Sequence, residues 1–124
     1  MSGNKLQYIG IDIGSVNVKV TRLDDDAARH AVVAHEGHIE GALSRALDEL
    51  ELPADGQGVR AVVTGGAGRL RVAVPDVILP RAFEAVLARL GIQARAVVSV
   101  GGEDLVLYTV DEAGRVQNTY AGNK

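Results

Sequence analysis

The sequence predicts an α/β fold on three observations. Apolar residues alternate with polar ones in some segments, as in β-strands, and recur at helical spacing in others. Aromatic residues are only 3% of the 124 residues, so the core must be built from Val, Leu, Ile and Ala. Glycine is about 12% of the chain (15 residues) and clusters after strand-like runs, against a usual share of roughly 7%. The predicted order is β-β-β-α-β-α followed by β-β-β.

The first two strands are predicted to form a hairpin over Gln7 to Leu23. The alternating apolar residues are Ile9, Ile11 and Ile13 before the turn and Val16, Val18 and Val20 after it. Spacing of this kind is typical of strands with one buried face, and Gly14-Ser15 is a natural place to turn. Ala31 to His35 is predicted as a third strand.

Two segments have the apolar spacing of helices. The first helix is predicted over Ile39 to Leu50 and the second over Leu79 to Leu90. Pro80 is tolerated in the first turn of the second helix, and Gly91 is placed to cap its end. At this length, folding buries roughly 68% of the surface of the unfolded chain, which is enough for one core.

The remaining strands are short apolar runs bounded by glycine. Val59 to Thr64 is predicted to be buried on both faces, as in a parallel sheet, and Ala96 to Val100 is a similar run. Leu105 to Val110 and Val116 to Ala121 flank a five-residue connection that contains glycine. This arrangement predicts a second hairpin.

The segment from Gly10 to Lys19 combines the residue types that bind phosphate. Glycine at a strand tip lets the backbone approach an anion, the Ser15 hydroxyl can donate to phosphate oxygens, and Lys19 adds positive charge. Asp12, at the strand end, is a suitable ligand for Mg²⁺ or for a metal-bound water. An ordinary hairpin with a polar turn is the alternative interpretation. The segment is not a Walker sequence, because no GK[ST] follows the glycines.

Two further glycine clusters allow two interpretations each. Gly101-Gly102, followed by Glu103-Asp104, either closes over a phosphate chain or forms a tight turn with solvated carboxylates. The segment from Thr64 to Arg69 is either an anion-binding loop or a flexible exit from a buried strand. A metal site built from the three histidines is not favoured, because His35 and His38 would point to opposite faces of a strand.

Composition narrows the classes of function. The net charge of −3, a pI near 5.5 and scattered basic residues argue against nucleic acid as a partner. No apolar run approaches the roughly 18 residues of a membrane helix, and the first residues do not resemble a signal peptide, so a cytoplasmic location without membrane contact is expected. The absence of cysteine excludes disulfides and any zinc or iron–sulfur site built on this chain's thiolates.

Two motifs in the expected order resemble a known group of ATPases. YIGIDIGSVNVKVTRLD (Tyr8 to Asp24) resembles the first phosphate motif of the actin, heat-shock chaperone and sugar-kinase superfamily. VVSVGGEDLVLYTVDEAGRVQNTYAGNK (Val97 to Lys124) resembles the second phosphate motif of one branch, the ATPase activators of 2-hydroxyacyl-CoA dehydratases and benzoyl-CoA reductases. The resemblance implies a ribonuclease-H-like (actin-like) lobe with a mixed sheet and two helices over residues 1–95. Residues 96–124 would then be the first three strands of a second, similar lobe.

The resemblance also implies a function. In this family two lobes clamp ATP·Mg, or ADP after hydrolysis. Hydrolysis drives an electron from a [4Fe-4S] cluster, shared across a homodimer interface, into an acyl-CoA dehydratase or reductase. Carried over by position, Asp12 would serve Mg²⁺ and its water as the catalytic residue. The positions implied to contact phosphates are Gly14, Ser15, Asn17, Lys19, Gly101, Gly102, Glu103 and Asp104.

Departures from the family pattern qualify these expectations. Family members continue past an AGNK-like segment into a loop with a cluster-ligating cysteine, whereas this chain ends at Lys124, so an N-terminal fragment that is inactive alone is expected. Ser99 replaces an aspartate, Glu103 a glutamine and Asn17 a threonine. A non-hydrolysing actin-like scaffold lobe and a fragment of a sugar or acetate kinase are the alternatives. The last three strands would expose an apolar face, which is expected to pair with another copy or fold back on the first lobe.

Overall fold

A computed structural model describes residues 6–24, 27–52 and 57–122. The strands are β1 (Gln7–Ile13), β2 (Asn17–Asp24), β3 (Ala27–Ala34), β4 (Val59–Gly65), β5 (Ala96–Val100), β6 (Leu105–Val110) and β7 (Val116–Gly122). The helices are α1 (Ile39–Glu49) and α2 (Leu79–Leu90), and a short 3₁₀ helix spans Ala67–Arg71. The predicted order of strands and α-helices is confirmed.

The chain divides into two compact units, Met1–Asp76 and Val77–Lys124. The first contains a four-stranded sheet in the order β3-β2-β1-β4, in which β1 and β4 run parallel and the other pairs antiparallel. The second contains the antiparallel sheet β5-β6-β7. The α/β class and the mixed sheet are confirmed. The domain boundary after residue 95 stays a prediction, since the compact units divide earlier and group α2 with the last three strands.

The hydrophobic core lies in the first unit and follows from the alternation of β1 and β2. One face of the sheet is apolar and packs against the apolar stripe of α1. The buried residues of this core are Ile9, Ile11, Ile13, Val18, Val20, Ala31, Ala42, Ala46, Leu50 and Val63. Two alanines on α1 are 1% and 0% exposed, so small side chains let the helix lie close to the sheet.

The C-terminal end of α1 is held by an arginine from the sheet. The helix has no basic residue in its last turn, and its last carbonyls need partners. Arg22 Nη1 on β2 donates to the carbonyls of Leu50 at 2.6 Å and of Glu51 at 3.3 Å. The positive charge also complements the negative end of the helix dipole. Arg22 therefore fixes the helix to the sheet at this end.

In the second unit, α2 packs on one face of the three-stranded sheet. The rings of Phe83 and Tyr108 lie 5.2 Å apart, and the Glu84 carboxylate accepts the Val116 N–H at 2.7 Å. Gly91 ends the helix in the left-handed conformation, with φ 65°, as its position predicts. The opposite face of the sheet exposes apolar side chains at Val98, Val100, Leu105 and Tyr120.

Two strand predictions need correction. β3 runs over Ala27–Ala34 instead of residues 31–35, because it pairs with β2 along the full length of that strand. β4 is parallel to β1, as predicted, but it is not buried on both faces: Val63 is 0% exposed and Val62 is 40% exposed. The reason is that α1 covers only the face to which Val63 belongs.

Candidate phosphate-binding site

The candidate site lies where β1 ends, on the face of the first sheet opposite the core. Asp12 is in register with Lys19 on the antiparallel strand β2 and with Thr64 on the parallel strand β4. Residues in register on neighbouring strands point to the same face. The first sheet therefore brings a carboxylate, an ammonium group and a hydroxyl together at one place.

The charged pair of this site is loosely held. Lys19 Nζ lies 3.5 Å from Asp12 Oδ2, and the two side chains are 47% and 34% exposed. An ion pair of this length and exposure is worth at most about 1 kcal/mol. Both groups can therefore exchange their mutual contact for a contact with an anion or a cation.

Thr64 begins the segment that the sequence analysis considered as a possible anion-binding loop, but its place beside Asp12 was not predicted. Its Oγ1 is buried and has no hydrogen-bond partner within the described part of the chain. A buried hydroxyl without a partner is costly, and this one lies beside Asp12. The signal that identifies it is the register of β1 and β4, which follows from parallel pairing and is not readable from residue spacing alone.

The turn between β1 and β2 brings the next predicted residues together. The Gly14 N–H donates to the carbonyl of Asn17 at 2.9 Å, while Ser15 is exposed at the apex. A Cβ atom at residue 14 would lie 3.2 Å from that carbonyl, so glycine suits the close approach. Asn17 thus contributes its main-chain carbonyl to the shape of the turn.

His35 joins this turn from the segment after β3. Its Nε2 lies 2.9 Å from the Gly14 carbonyl, and its main-chain N–H donates to the Val16 carbonyl at 3.0 Å. The sequence analysis considered this histidine only as a metal ligand on a strand, whereas it follows the end of β3. No pattern in the sequence connects residue 35 with residue 14, because the contact depends on how β3 pairs with β2.

Gly65, the last residue of β4, allows close packing against the end of β1. Gly65 has φ 117°, and an added Cβ would lie 2.2 Å from the Ile13 carbonyl oxygen. The side chain of Arg69 is bound by Asp76 at 3.2 Å and by the Gly66 carbonyl at 3.0 Å. These contacts occupy Arg69 and give its part of the predicted anion loop no support, whereas Thr64, at the start of the segment, is in register with Asp12. The segment consists of the end of β4, Gly66 and the first residues of the 3₁₀ helix.

The second predicted motif lies between β5 and β6, in the second unit. Its four residues, Gly101, Gly102, Glu103 and Asp104, are all exposed. The Gly101 N–H donates to the Asp104 carbonyl at 2.8 Å, which closes the turn. These contacts are those of a tight turn with solvated carboxylates, and a role in phosphate contact stays a prediction.

The oxygen atoms of Asp12 and Thr64 fit a magnesium ion that is bound together with phosphate. Mg²⁺ prefers oxygen ligands and is usually held by one or two carboxylates plus phosphate oxygens and waters. Asp12 and the unpartnered Thr64 hydroxyl supply oxygen atoms of this kind. No group of three or more His, Cys, Asp or Glu side chains in residues 6–24, 27–52 and 57–122 is arranged to hold a metal ion. An iron–sulfur cluster does not fit this chain, since the chain has no cysteine.

Neither α1 nor α2 is long and apolar enough to cross a membrane, and the described residues include no other helix that is.

No family model and no curated protein matches this sequence. Solved structures do match it. Component A of (R)-2-hydroxyglutaryl-CoA dehydratase from Acidaminococcus fermentans superimposes with a TM-score of 0.77 at 19% identity, over 97% of this chain and 48% of that one. The activator of 2-hydroxyisocaproyl-CoA dehydratase from Clostridium difficile, with bound ADPNP, gives 0.75 at 18% identity, over 96% of this chain and 46% of that one.

A candidate 2-dehydro-3-deoxygalactonokinase from Sinorhizobium meliloti has a TM-score of 0.60 at 15% identity, over 92% of this chain and 52% of that one. The chain therefore spans about half the length of the structures that it matches. These likenesses confirm the fold that the two motifs imply. The chain has an actin-like, ribonuclease-H-like fold, and it shares this fold with the dehydratase component A and with the dehydratase activator.

Proposed function

We propose that the chain is the nucleotide-binding part of an activator-type ATPase. The observation that carries the proposal is the cluster of Asp12, Lys19 and the unpartnered Thr64 hydroxyl at the end of β1. The cluster occurs in a fold shared with an activator that holds bound ADPNP. The proposed partner is an acyl-CoA dehydratase or reductase, and the proposed location is the cytoplasm.

Each candidate site residue of the first unit has a proposed role. The turn formed by Gly14, Ser15 and Asn17 approaches the phosphate chain, and Lys19 neutralises part of its charge. Asp12 orients the metal or a water bound to it, and Thr64 donates its hydroxyl to a phosphate oxygen or water. When bound, Mg²⁺ supplies charge neutralisation at the phosphates. This chain has no cysteine to ligate an iron–sulfur cluster. Electron transfer therefore lies outside the roles proposed for these residues.

Calorimetry with ADPNP·Mg tests the assignment. We expect wild-type chain to bind and the Asp12→Ala variant to bind at least tenfold more weakly, since a charged contact to metal or phosphate is worth about 1.5 to 3 kcal/mol. The control is Asp48→Ala, which removes an exposed carboxylate from α1 and should leave affinity unchanged. Tight binding that does not depend on Asp12 contradicts the proposal.

A non-hydrolysing actin-like scaffold lobe is the second candidate. It is favoured by the turn of the second unit, where the Gly101 amide is already bonded to the Asp104 carbonyl and one fewer donor is available to phosphate. Ser99 adds to this, because the family has an aspartate there. The two candidates differ in nucleotide binding: ADPNP·Mg should bind to this chain in the first case and not in the second, because the glycine loops of a scaffold lobe no longer hold a nucleotide.

A further inference from the structure

His35 occupies an unusual position relative to the β1–β2 turn. Its ring and its main-chain N–H contact carbonyls on both sides of Ser15: Nε2 lies 2.9 Å from the Gly14 oxygen, and the N–H donates to the Val16 oxygen at 3.0 Å. Between residues 14 and 17 the turn has its own hydrogen bond, from the Gly14 N–H to the Asn17 carbonyl. One residue from outside the hairpin therefore holds the apex at two points.

The contacts of the ring determine where its proton lies. The Gly37 N–H donates to His35 Nδ1 at 3.0 Å, so Nδ1 must be unprotonated. The Gly14 carbonyl can only accept, so Nε2 must carry the hydrogen. Only the neutral ring protonated on Nε2 satisfies both partners. The doubly protonated ring would place a donor on Nδ1 opposite the N–H of Gly37.

The backbone after His35 is shaped so that this contact forms. Glu36 has φ 47° and Gly37 has φ 84°, two successive residues in the left-handed region. A residue other than glycine adopts this conformation at a cost of about 1 kcal/mol or more. The bend returns the Gly37 N–H to the ring of His35, and α1 begins directly afterwards at Ile39.

We propose that His35 is a positioning residue that fixes the β1–β2 turn in the shape that binds phosphate. Nε2–H holds the Gly14 carbonyl, and the Gly37 N–H selects the tautomer that can do so. The inference rests on the proposed function for its ligand, but the effect on the turn itself is independent of any ligand. It makes residue 35 part of the phosphate site without contact to phosphate.

Two amide variants separate the two contacts of the ring. The amide of Gln reaches the position of Nε2 and can donate to the Gly14 carbonyl, whereas the shorter Asn reaches only the position of Nδ1 and can accept from Gly37. His35→Gln should therefore keep the hydrogen bond to the Gly14 carbonyl. His35→Asn should lose that hydrogen bond although its side chain, like that of Gln, is a polar amide. His35→Leu removes both contacts and gives the limit of the effect.

The experiment uses the 124-residue chain and three measurements. Long-range ¹H–¹⁵N spectra of the histidine ring should show the Nε2–H tautomer in the wild type. Amide exchange at Gly14 should be roughly fivefold faster in His35→Asn than in His35→Gln, with the amides of α1 unchanged in both, since loss of one hydrogen bond is worth about 1 kcal/mol. The affinity for ADPNP·Mg should fall by a similar factor in His35→Asn and be retained in His35→Gln.

The outcomes distinguish this inference from the proposed function. An Nδ1–H tautomer, or equal Gly14 exchange in the Asn and Gln variants, overturns the positioning role. If the exchange rates differ as expected but the wild type binds no ADPNP·Mg, His35 still positions the turn and the assignment to phosphate is wrong. If the wild type binds and the two variants bind equally well, nucleotide binding stands and the positioning role in it is overturned.

Discussion

The two sheets of this chain have similar apolar strands but very different burial. In the first unit, Ala42, Ala46 and Leu50 on the helical side are 2% exposed or less. In the second unit, α2 contributes no buried residue and the sheet buries Tyr108 and Val110. On the face away from α2, Val98 and Val100 are 58% and 75% exposed. An apolar strand is therefore not by itself a core strand. What makes it one is a helix that packs closely over the same face.

The units also differ in what holds the helix to the sheet. In the first, Arg22 binds the carbonyls at the end of α1, and the apolar contacts lie beside it. In the second, the Glu84 carboxylate, whose side chain is 12% exposed, binds the Val116 N–H and lies 3.0 Å from Arg81 and 3.5 Å from Arg115. A larger part of the helix–sheet contact in the second unit is therefore electrostatic and sensitive to pH.

The largest expected effect tests the difference in burial. Ile11→Ala removes a side chain that is 5% exposed and should lower the free energy of unfolding of the first unit by about 3 kcal/mol. Val100→Ala, at 75% exposure in the second sheet, should change stability by no more than about 0.5 kcal/mol. Urea unfolding followed by circular dichroism measures both. Equal losses would contradict the contrast between the units.

A somewhat smaller effect is expected where β4 packs against the end of β1. Gly65→Ala places a Cβ 2.2 Å from the Ile13 carbonyl oxygen at φ 117°, and strain of this kind should cost about 2 kcal/mol. Gly66→Ala is the matched control, because nothing lies within 4 Å of its added Cβ. Urea unfolding that gives the same stability for both variants would show that the close approach is not required.

A third prediction concerns acid and the second unit. Hydrogen bonds from the Val116 N–H and from Arg81 hold the pKa of Glu84 below its ordinary 4.5. Since the pKa is lowered in the folded state, the stabilisation is complete above about pH 4.5 and is lost as the pH falls through the folded value. Glu84→Gln should therefore lose less stability on acidification than the wild type.

Amide exchange in β6 at pH values above and below this range measures that difference. Glu103→Gln, in the exposed turn of the same unit, is the control and should retain the acid dependence of the wild type. Asp111 contributes in the same direction, because hydrogen bonds from the Arg115 and Ala113 N–H groups lower its pKa below the ordinary 3.8. If Glu84→Gln lost as much stability on acidification as the wild type, the Glu84 carboxylate would not be the source of the acid dependence.

The smallest effect on stability, and the one that tests the expectation of pairing, concerns the exposed face of the second sheet. Val100→Lys should leave the free energy of unfolding nearly unchanged and reduce self-association, because it places a charge on an apolar face. Val32→Lys, at 59% exposure on β3, is the control. Light scattering coupled to size exclusion measures the mass. A wild-type chain that stays strictly monomeric, with fast amide exchange throughout residues 96–121, would contradict pairing.

The candidate site was only partly predictable from the sequence. Asp12 and Lys19 lie on the two strands of the predicted hairpin, but a two-residue turn at Gly14-Ser15 would place Asp12 opposite Asn17. In the structure the pairing begins at Ile13 and Val18, and this register places Asp12 opposite Lys19. Thr64 could not be found in the same way. It lies on β4, which pairs with β1 in parallel but is separated from it in the sequence by β2, β3 and α1. His35 was missed because the sequence gives no sign that β3 ends one residue before it.

The sequence by itself determined the kind and position of nearly every element, because periodicity, Pro80 at a helix start and Gly91 at a helix end are local signals. Tertiary structure alone decided which faces are buried. Val62 and Val100 are apolar residues of the kind found in cores, yet both are exposed. It also decided which polar groups meet at the end of β1. The physical reason is that burial and hydrogen bonding depend on what packs against a residue, and those partners come from distant parts of the chain.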